Sequence, residues 1–320
     1  MAADVRPPYD AELEAALAIL ADQLPSTITP DMIAAMRGVP VTAPIEELLK
    51  GRNISHREVT VPGYQDHALT LSIFAREGHT GSGPGIYHTH GGGMIIGDRF
   101  TGMETQLDWV ERFDAVCVSV EYRLAPEFPD PYLTEDCYAG LAWTAEHAAE
   151  LGIDPGRLVI AGASAGGGLS AGTALLARDR GGPHLAGQVL MCPMLDDRDA
   201  TVSSHQFSGI GVWDRGSNVT GWSAYLGERR GTGDVSIYAA PARATDLSGL
   251  PPAFLDVGSA EVFRDETVAY ATQLWADGGV AELHVWPGGF HGFELMAPQS
   301  RISQLSRQVR TDWVARLLCT

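Results

Sequence analysis

The first fifty residues carry hydrophobic side chains at helical spacing, and the pattern changes abruptly after them. Apolar positions recur at helical intervals across residues 11–20 and again across 32–36, where a Pro-Asp pair precedes them as at a helix start. Residues 55–61 and 68–75 instead alternate apolar and polar side chains on either side of a Pro-Gly pair. Such alternation predicts two antiparallel strands at a sheet edge, because one face of these strands stays in contact with water.

From residue 86 onwards, short apolar runs alternate with longer helical patterns. Strands that alternate with helices build a parallel sheet covered on both faces, so the pattern predicts the α/β class with a mostly parallel central sheet. The predicted strands are 86–90, 115–120, 158–161, 186–192, 253–257 and 281–286, and the predicted helices are 132–151, 165–178, 264–276 and 300–318.

Two segments lie outside this alternation, and we interpret them as a cap. Helices within residues 1–50 are not needed to build the sheet, and residues 196–225 interrupt the order of strands and helices. Residues 51–195 and 226–320 then form the main α/β domain. The alternative is that both segments only pack on the surface.

The interrupting segment is rich in aromatic side chains. Phe207, Trp213 and Trp222 stand there among glycines and serines. Open α/β sheets bind their ligands beyond the carboxyl ends of the strands, where this segment is expected to lie. We therefore predict that these three residues line a substrate pocket.

Composition and charge exclude several classes of partner. The chain has 320 residues and a formal net charge of −18, which argues against nucleic acid and against anionic membranes. No run approaches the roughly 18–20 apolar residues of a membrane span. Cys117, Cys137, Cys192 and Cys319 show no paired spacing. We interpret them as reduced thiols and expect a cytoplasmic protein.

The segment 158–168 carries the first candidate chemistry. An apolar run ends in Gly162-Ala-Ser164-Ala-Gly166 and continues as a helix of small residues. This is the spacing of a nucleophile elbow, a sharp strand-to-helix turn that lifts the central serine clear of the sheet. The backbone N–H of Ala165 would then point at a developing oxyanion.

A competing motif overlaps the same stretch. Gly166, Gly168 and Ala171 match the Gly-x-Gly-x-x-Ala variant of the dinucleotide fingerprint, and Asp196 lies near the end of the next apolar run. The choice between a hydrolase and a nucleotide-binding enzyme therefore depends on the rest of the chain.

A glycine loop follows the strand at 86–90. Gly91, Gly92 and Gly93 are costly in chain entropy and pack no side chain, so they indicate close approach of backbone N–H groups to a ligand. Beside the elbow, this loop would complete an oxyanion hole with Ala165. Which two glycines would donate stays open.

We expect neither a metal nor a cofactor. His88 and His90 are spaced as two metal ligands could be, but the following glycines supply no third ligand and no neighbouring cluster completes a site.

A nucleophilic serine needs a base and an acid that orients the base. His291 stands on a glycine-flanked loop just after the last predicted strand, which suits a base. The loop after strand 253–257 offers Glu261 and Asp265 as acids. We favour Glu261, because it stands at the strand exit, whereas Asp265 already falls in the following helix.

Together these motifs resemble the hormone-sensitive-lipase-like carboxylesterases, including bacterial members of the heroin-esterase type. The matching segments are His-Gly-Gly-Gly at 90–93, Tyr-Arg-Leu-Ala-Pro-Glu at 122–127, Gly-Ala-Ser-Ala-Gly-Gly at 162–167, Phe-Arg-Asp-Glu at 263–266 and His-Gly-Phe at 291–293. Two positions depart from the family pattern, since Ala163 and Glu261 stand where the family usually has aspartate.

The resemblance implies an α/β-hydrolase fold with a helical cap and a serine esterase that needs no cofactor. It implies Ser164, His291 and Glu261 as catalytic residues, and residues 122–127 with Asp136 as structural support. We expect short-chain acyl esters as substrates. A lactone, amide or arylester hydrolase with the same triad stays open, as does a binding protein without catalysis. A homodimer through 281–286 and 300–318 is possible.

Overall fold

The computed structural model describes residues 5–20, 25–38 and 42–318, so Cys319 lies outside the described residues. Within these ranges the chain forms one eight-stranded sheet in the order β1-β2-β4-β3-β5-β6-β7-β8. The strands are β1 Ile54–Pro62, β2 Ala68–Arg76, β3 Gly83–Thr89, β4 Val116–Val120, β5 Ile153–Ala163, β6 Gly187–Met191, β7 Ala253–Gly258 and β8 Ala281–Trp286.

The sheet is mostly parallel, as predicted. Strand β2 pairs antiparallel with both β1 and β4, and all other neighbours are parallel. The two strands with alternating polarity therefore lie at one edge, where one face can remain polar. The predicted α/β fold is confirmed.

Twelve α-helices lie in the described ranges, and a 3₁₀ turn at Pro30–Met32 leads into the second. They are α1 Ala11–Leu20, α2 Ile33–Arg37, α3 Ile45–Leu48, α4 Glu104–Phe113, α5 Tyr132–Glu146, α6 Ala148–Leu151, α7 Ala165–Asp179, α8 Val202–Gln206, α9 Arg215–Leu226, α10 Arg264–Ala276, α11 Phe293–Met296 and α12 Arg301–Leu318. None of these helices is long and apolar enough to cross a membrane.

Each face of the sheet packs its own hydrophobic core. On one face, side chains of α5, α7 and α10 such as Leu141, Leu175 and Leu274 pack on the strands. On the other face, α4 and α12 contribute Trp109 and Trp313. Burial on both faces explains why the central strands are almost continuously apolar.

The N-terminal segment is hydrogen-bonded to the carboxyl end of the sheet. The backbone N of Asp10 donates to the carbonyl of Gly288 at 3.1 Å. Thr27 Oγ1 donates to Asp214 Oδ2 at 2.8 Å, at the start of α9. The segment therefore contacts both the excursion at 196–225 and the loop that carries His291.

Candidate active site

Ser164 stands at the turn between β5 and α7 in a strained backbone conformation. Its φ is 58° and its ψ is −124°, a region that L-residues rarely adopt. The turn is tight on both sides. A Cβ at Gly162 would come within 2.5 Å of the carbonyl carbon of Gly166, and a Cβ at Gly166 would come within 2.5 Å of the carbonyl oxygen of His90. Both positions must therefore be glycine, which explains the Gly-x-Ser-x-Gly spacing.

The same crowding accounts for the glycines of the competing dinucleotide motif. A Cβ at Gly167 would meet Pro193 at 2.9 Å, and one at Gly168 would overlap the carbonyl oxygen of Met194. Close packing of α7 against residues 193 and 194 therefore explains these two glycines without a bound nucleotide. Asp196 is largely buried and ion-paired with Arg198 at 2.7 Å. This packing disfavours a nucleotide site.

His291 bridges the serine and a carboxylate. Its Nε2 lies 2.9 Å from Ser164 Oγ, and its Nδ1 lies 2.7 Å from Glu261 Oε2. An ionised carboxylate only accepts hydrogen bonds, so Nδ1 carries the proton and Nε2 is the acceptor for the serine hydroxyl. The backbone N–H of Gly258 donates to Glu261 Oε1 at 3.0 Å. All three side chains are buried.

Asp265, the other candidate acid, is engaged elsewhere. Its Oδ2 accepts from the backbone N–H of Ser203 at 2.7 Å, and its Oδ1 accepts from Arg264 Nε at 2.7 Å. Burial alone would raise the pKa of Asp265, but these donors outweigh burial and lower it. Asp265 therefore joins α10 to the start of α8, and the carboxylate that contacts His291 is that of Glu261.

The glycine loop lies against the nucleophile. A Cβ at Gly91 would be 3.5 Å from Ser164 Cβ. Gly92 and Gly93 have φ values of 115° and 60°. Among the residues that the structure describes, the backbone N–H groups of Gly91, Gly92, Gly93 and Ala165 donate no hydrogen bond. Unused donors beside a nucleophile suit the binding of a developing negative charge.

The two histidines of β3 and its loop have separate structural contacts. His88 Nδ1 is 2.8 Å from Ser119 Oγ, and burial, helped by nearby His90, lowers the pKa of His88 to about 3. His90 stacks on Tyr122 with ring centroids 4.0 Å apart, and its Nδ1 donates to the carbonyl of Gly91 at 2.7 Å. His90 and Tyr122 thus hold the glycine loop.

One group of residues brings possible metal ligands together. One ligand atom each of Cys192, Glu261 and His291 lies within 4.8 Å of the others. The Glu261 and His291 atoms are only 2.7 Å apart, whereas two ligands of a tetrahedral zinc ion lie about 3.3 Å apart. Burial, with the nearby carboxyl groups, also raises the pKa of the Cys192 thiol well above its usual range. This spacing fits a hydrogen bond and not a metal site.

The predicted pocket aromatics are all buried, in different surroundings. The ring of Trp213 covers Gly93, because a Cβ there would overlap the indole. Phe207 packs against Tyr9 with ring centroids 6.5 Å apart. Trp222 packs against Tyr225 with the same separation. Of these three aromatic residues, Trp213 is therefore the one that lies against the glycine loop.

Sequence reasoning expected the N-terminal segment to cap this region but did not single out Tyr9. Tyr9 packs edge-on against Phe290, the neighbour of His291, with ring centroids 6.3 Å apart. A cleft of about 420 Å³ opens beside Tyr9 and Arg6, between α1 and residues 209–212. No motif marks Tyr9 in the sequence, because its role depends on contacts about 200 and 280 residues away.

The support predicted for residues 122–127 has a clear physical basis. Arg123 Nε donates to Asp136 Oδ2 and Arg123 Nη2 to Asp136 Oδ1, both at 2.7 Å, with the Asp136 side chain fully buried. Arg37 of α2 donates to the carbonyls of Ile95 and Ala125 and pairs with Glu127 at 2.9 Å. These bonds fix the chain beneath the glycine loop.

Comparison with known proteins agrees with this geometry. Residues 86–295 match the model of a family described as having the alpha/beta hydrolase fold. The carboxylesterase NlhH of Mycobacterium tuberculosis is 36% identical over 90% of this chain and 91% of its own. An arylesterase of Saccharolobus solfataricus is 32% identical over 77% of each chain.

Solved structures give the same relationship. A bacterial heroin esterase superposes with a TM-score of 0.88 at 37% identity, covering 97% of this chain and 98% of its own. A hyperthermophilic esterase from Pyrobaculum calidifontis superposes with a TM-score of 0.83 at 30% identity, covering 97% and 99%. The chain therefore belongs to the α/β-hydrolase-fold family, among its hormone-sensitive-lipase-like carboxylesterases.

Proposed function

We propose that this protein hydrolyses short-chain acyl esters through a Ser164–His291–Glu261 triad and an acyl-enzyme intermediate. The observation that carries the proposal is the continuous hydrogen-bonded path from Ser164 Oγ to His291 Nε2, at 2.9 Å, and from His291 Nδ1 to Glu261 Oε2, at 2.7 Å. These distances lie within the range needed for proton transfer between a nucleophile and its base.

In the first half of the reaction, His291 Nε2 takes the Ser164 proton as Oγ attacks the ester carbonyl carbon. The carbonyl oxygen becomes an oxyanion. When the tetrahedral intermediate breaks down, the bond to the alcohol oxygen is cleaved and His291 gives its proton to that alcohol. Ser164 then carries the acyl group.

The oxyanion would be bound by the backbone N–H of Ala165 and by two N–H groups of Gly91–Gly93. Their freedom from other hydrogen bonds within the described ranges supports this role. Each such donor typically lowers the barrier by about 3–4 kcal/mol.

In the second half, His291 takes a proton from water as the water oxygen attacks the acyl carbon. The carboxylic acid leaves, and His291 returns the proton to Ser164. Glu261 keeps the proton on Nδ1 throughout and stabilises the imidazolium. Its buried position and its bond from Gly258 support this orientation.

The cap would be formed by residues 1–50 and 196–225. The contacts of Asp10 with Gly288 and of Thr27 with Asp214 support this assignment. Phe207, Trp213 and Trp222 would narrow the site, which favours short acyl groups over long lipids. An arylester is the second candidate substrate, supported by the similarity to the Saccharolobus arylesterase. A cytoplasmic location stays a prediction.

Hydrolysis of p-nitrophenyl esters of increasing acyl length tests the proposal. We expect measurable kcat/KM for acetate and butyrate, and a decline for acyl chains of about ten carbons, because the aromatic cap limits space. Ser164→Ala and His291→Ala should each lose activity by about 10⁴-fold or more.

The matched pair Glu261→Gln and Asp265→Asn tests the acid. Each substitution removes one negative charge from the same stretch of chain, but only Glu261 contacts His291. We expect Glu261→Gln to lower kcat by orders of magnitude and Asp265→Asn to retain most activity. The reverse order would refute the acid assignment. Absence of hydrolysis by the unaltered protein would favour a binding protein without catalysis.

A further inference from the structure

The last helix carries a buried arginine behind the candidate triad. Arg310 lies on the face of α12 that also buries Ser306, Trp313 and Val314, and only 1% of its surface is exposed. A buried guanidinium is costly unless charges and hydrogen bonds compensate it. Arg310 Nη2 contacts Asp256 Oδ2 at 2.8 Å and Glu294 Oε1 at 3.4 Å.

This ion cluster adjoins Glu261. A cavity of about 10 Å³ has Arg310 on its wall together with Glu261, so the guanidinium and the acid of the triad border the same small space. The ionisable side chains that line it are Cys192, Asp256, Glu261, Glu294 and Arg310. Arg310 Nε and Nη1 have no hydrogen-bond partner within the described part of the chain.

Among the described residues that line this cavity Arg310 is the single cation, and three carboxyl groups line it too. Burial raises the pKa of Glu294, and Asp256 and Glu261 add to that rise, while Arg310 opposes it. Burial alone would lower the pKa of Arg310, but Asp256 and Glu294 outweigh it and raise this pKa. The guanidinium therefore stays charged and offsets part of the negative charge behind the triad.

We propose that Arg310 is a positioning residue whose buried charge favours the carboxylate form of Glu261, so that Glu261 holds His291 with Nε2 free to accept the Ser164 proton. The inference rests on the proposed esterase function. Arg310 touches none of the reacting atoms and acts through Glu261. Without its charge, the carboxyl groups behind Glu261 would repel one another, and protons would bind more readily to the Glu261–His291 pair.

The neighbours of that pair define what the pH dependence can report. The ionisable groups that face it are Cys192 after β6, Asp256 on β7, Glu266 on α10, Glu294 on α11 and Arg310 on α12. Of these, Asp256 and Arg310 form the closest ion pair, at 2.8 Å. Neutralising Asp256 or Arg310 changes the charge near the triad by one unit, and neutralising both leaves the net charge unchanged.

The test is the pH profile of kcat/KM for p-nitrophenyl acetate, whose acid limb reports protonation of the free enzyme's base. We expect Arg310→Gln to move this limb to higher pH by about one unit. Asp256→Asn should move it to lower pH. Arg310→Lys and the double variant Asp256→Asn/Arg310→Gln preserve the cluster's net charge and should leave the limb in place.

A purely structural role would lower the thermal midpoint and kcat without moving the limb. An unmoved limb in Arg310→Gln, or an equal shift in Arg310→Lys, would overturn the inference. Arg310→Gln leaves carboxylates without their partner and could unfold the protein. In that case the Asp256→Asn variant provides the test. If its acid limb lies at the same pH as that of the unaltered protein, the inference is overturned.

Failure of the proposed function would be visible separately, as an unaltered protein without esterase activity. The same charge series would then be followed through the NMR signals of the His291 ring. The pH at which those signals change should rise in Arg310→Gln and fall in Asp256→Asn. No change in either variant would overturn the role of Arg310.

Discussion

At the scale of single residues, the site depends on positions where a side chain is absent. Gly162 and Gly166 allow the turn at Ser164, because their neighbours leave no space for a Cβ. Gly93 serves a different purpose. It lies beneath the indole of Trp213 with a φ of 60°, so both its space and its backbone conformation exclude a larger residue. The excursion at 196–225 and the proposed oxyanion loop therefore meet at this glycine.

Gly93→Ala should disturb the oxyanion loop. The new Cβ would come within 2.6 Å of Trp213 Cζ2, so either the indole or the loop must move. We expect kcat/KM for p-nitrophenyl acetate to fall about 100-fold, comparable to the loss of one oxyanion donor. Gly233→Ala is the control, because no atom lies within 4 Å of its added Cβ.

The double variant Gly93→Ala/Trp213→Ala separates crowding from backbone strain. Removing the indole should restore part of kcat/KM, while the cost of a left-handed alanine remains. Wild-type activity in Gly93→Ala would show that the loop tolerates the methyl group and that Trp213 does not set its geometry.

At the scale of elements, helix α10 fixes the start of the excursion through a buried carboxyl group. Glu266 Oε1 accepts hydrogen bonds from the backbone N–H groups of Leu195 and Asp196, at 2.7 and 3.3 Å. Burial raises the pKa of Glu266 well above its usual range, and the charges of Asp196 and Glu261 add to this rise. The segment that leaves β6 is thus tied to the helix that follows Glu261.

This raised pKa predicts a pH-dependent stability. The folded protein binds the Glu266 proton more tightly than the unfolded chain does, so the free energy of unfolding falls as pH rises from the unfolded value towards the folded one. In Glu266→Gln this contribution disappears, and stability should fall less between about pH 5 and pH 8. Urea unfolding at both pH values measures the difference.

The exposed residue Glu228 provides the control for that experiment. Glu228→Gln should leave the pH dependence of unfolding unchanged. If Glu266→Gln lost stability with rising pH as steeply as the unaltered protein, the buried carboxyl group would not be responsible.

The sequence was most informative where one element carries its own pattern. All eight strands were predicted, because each is a short apolar or alternating run between turn residues. Helix α4 was missed although it is amphipathic, with Leu107, Trp109 and Val110 on its buried face, so the helical spacing of its apolar residues was an available signal. The predicted helix 132–151 is divided into α5 and α6 at His147.

The candidate site shows the same limit. Ser164, His291 and Glu261 could be paired from their local motifs, and the structure brings their side chains together, although their roles stay predictions. Arg310 could not be assigned, because its partner Asp256 lies 54 residues earlier. Its place on the apolar stripe of α12 was the one available signal, since a charged residue there requires a buried partner.

At the scale of the whole molecule, the sheet edge formed by β8 is a candidate surface for binding a second polypeptide chain. Strand β8 ends the described sheet, with β7 as its neighbour. Large apolar side chains are exposed on or beside this edge, namely Trp275, Val280 and Val285, and Trp275 donates a hydrogen bond to the carbonyl of Ala281 in β8. An exposed strand edge with apolar neighbours commonly pairs with another strand. We therefore propose that a second copy of this chain binds along the β8 edge and forms a dimer.

Val285→Lys should weaken such a dimer. A lysine at this position would place a charge on the paired edge, so sedimentation velocity should show a shift from dimer to monomer. Val202→Lys is the matched control, because Val202 is 66% exposed on α8 in the excursion. A monomer in all three proteins, or an unaltered dimer in Val285→Lys, would contradict the proposed interface.

The bond between Asp10 and Gly288 has a consequence for synthesis on the ribosome. Helix α1 buries Leu13 against Trp286 and Phe290, but it is translated about 278 residues before Gly288. At a synthesis rate of about 5–20 residues per second, the apolar face of α1 remains uncovered for roughly 15–55 seconds until Trp286 and Phe290 have been made. During that interval the nascent chain offers a hydrophobic helix to chaperones. The catalysis proposed for His291 can begin only after its loop has emerged from the ribosome.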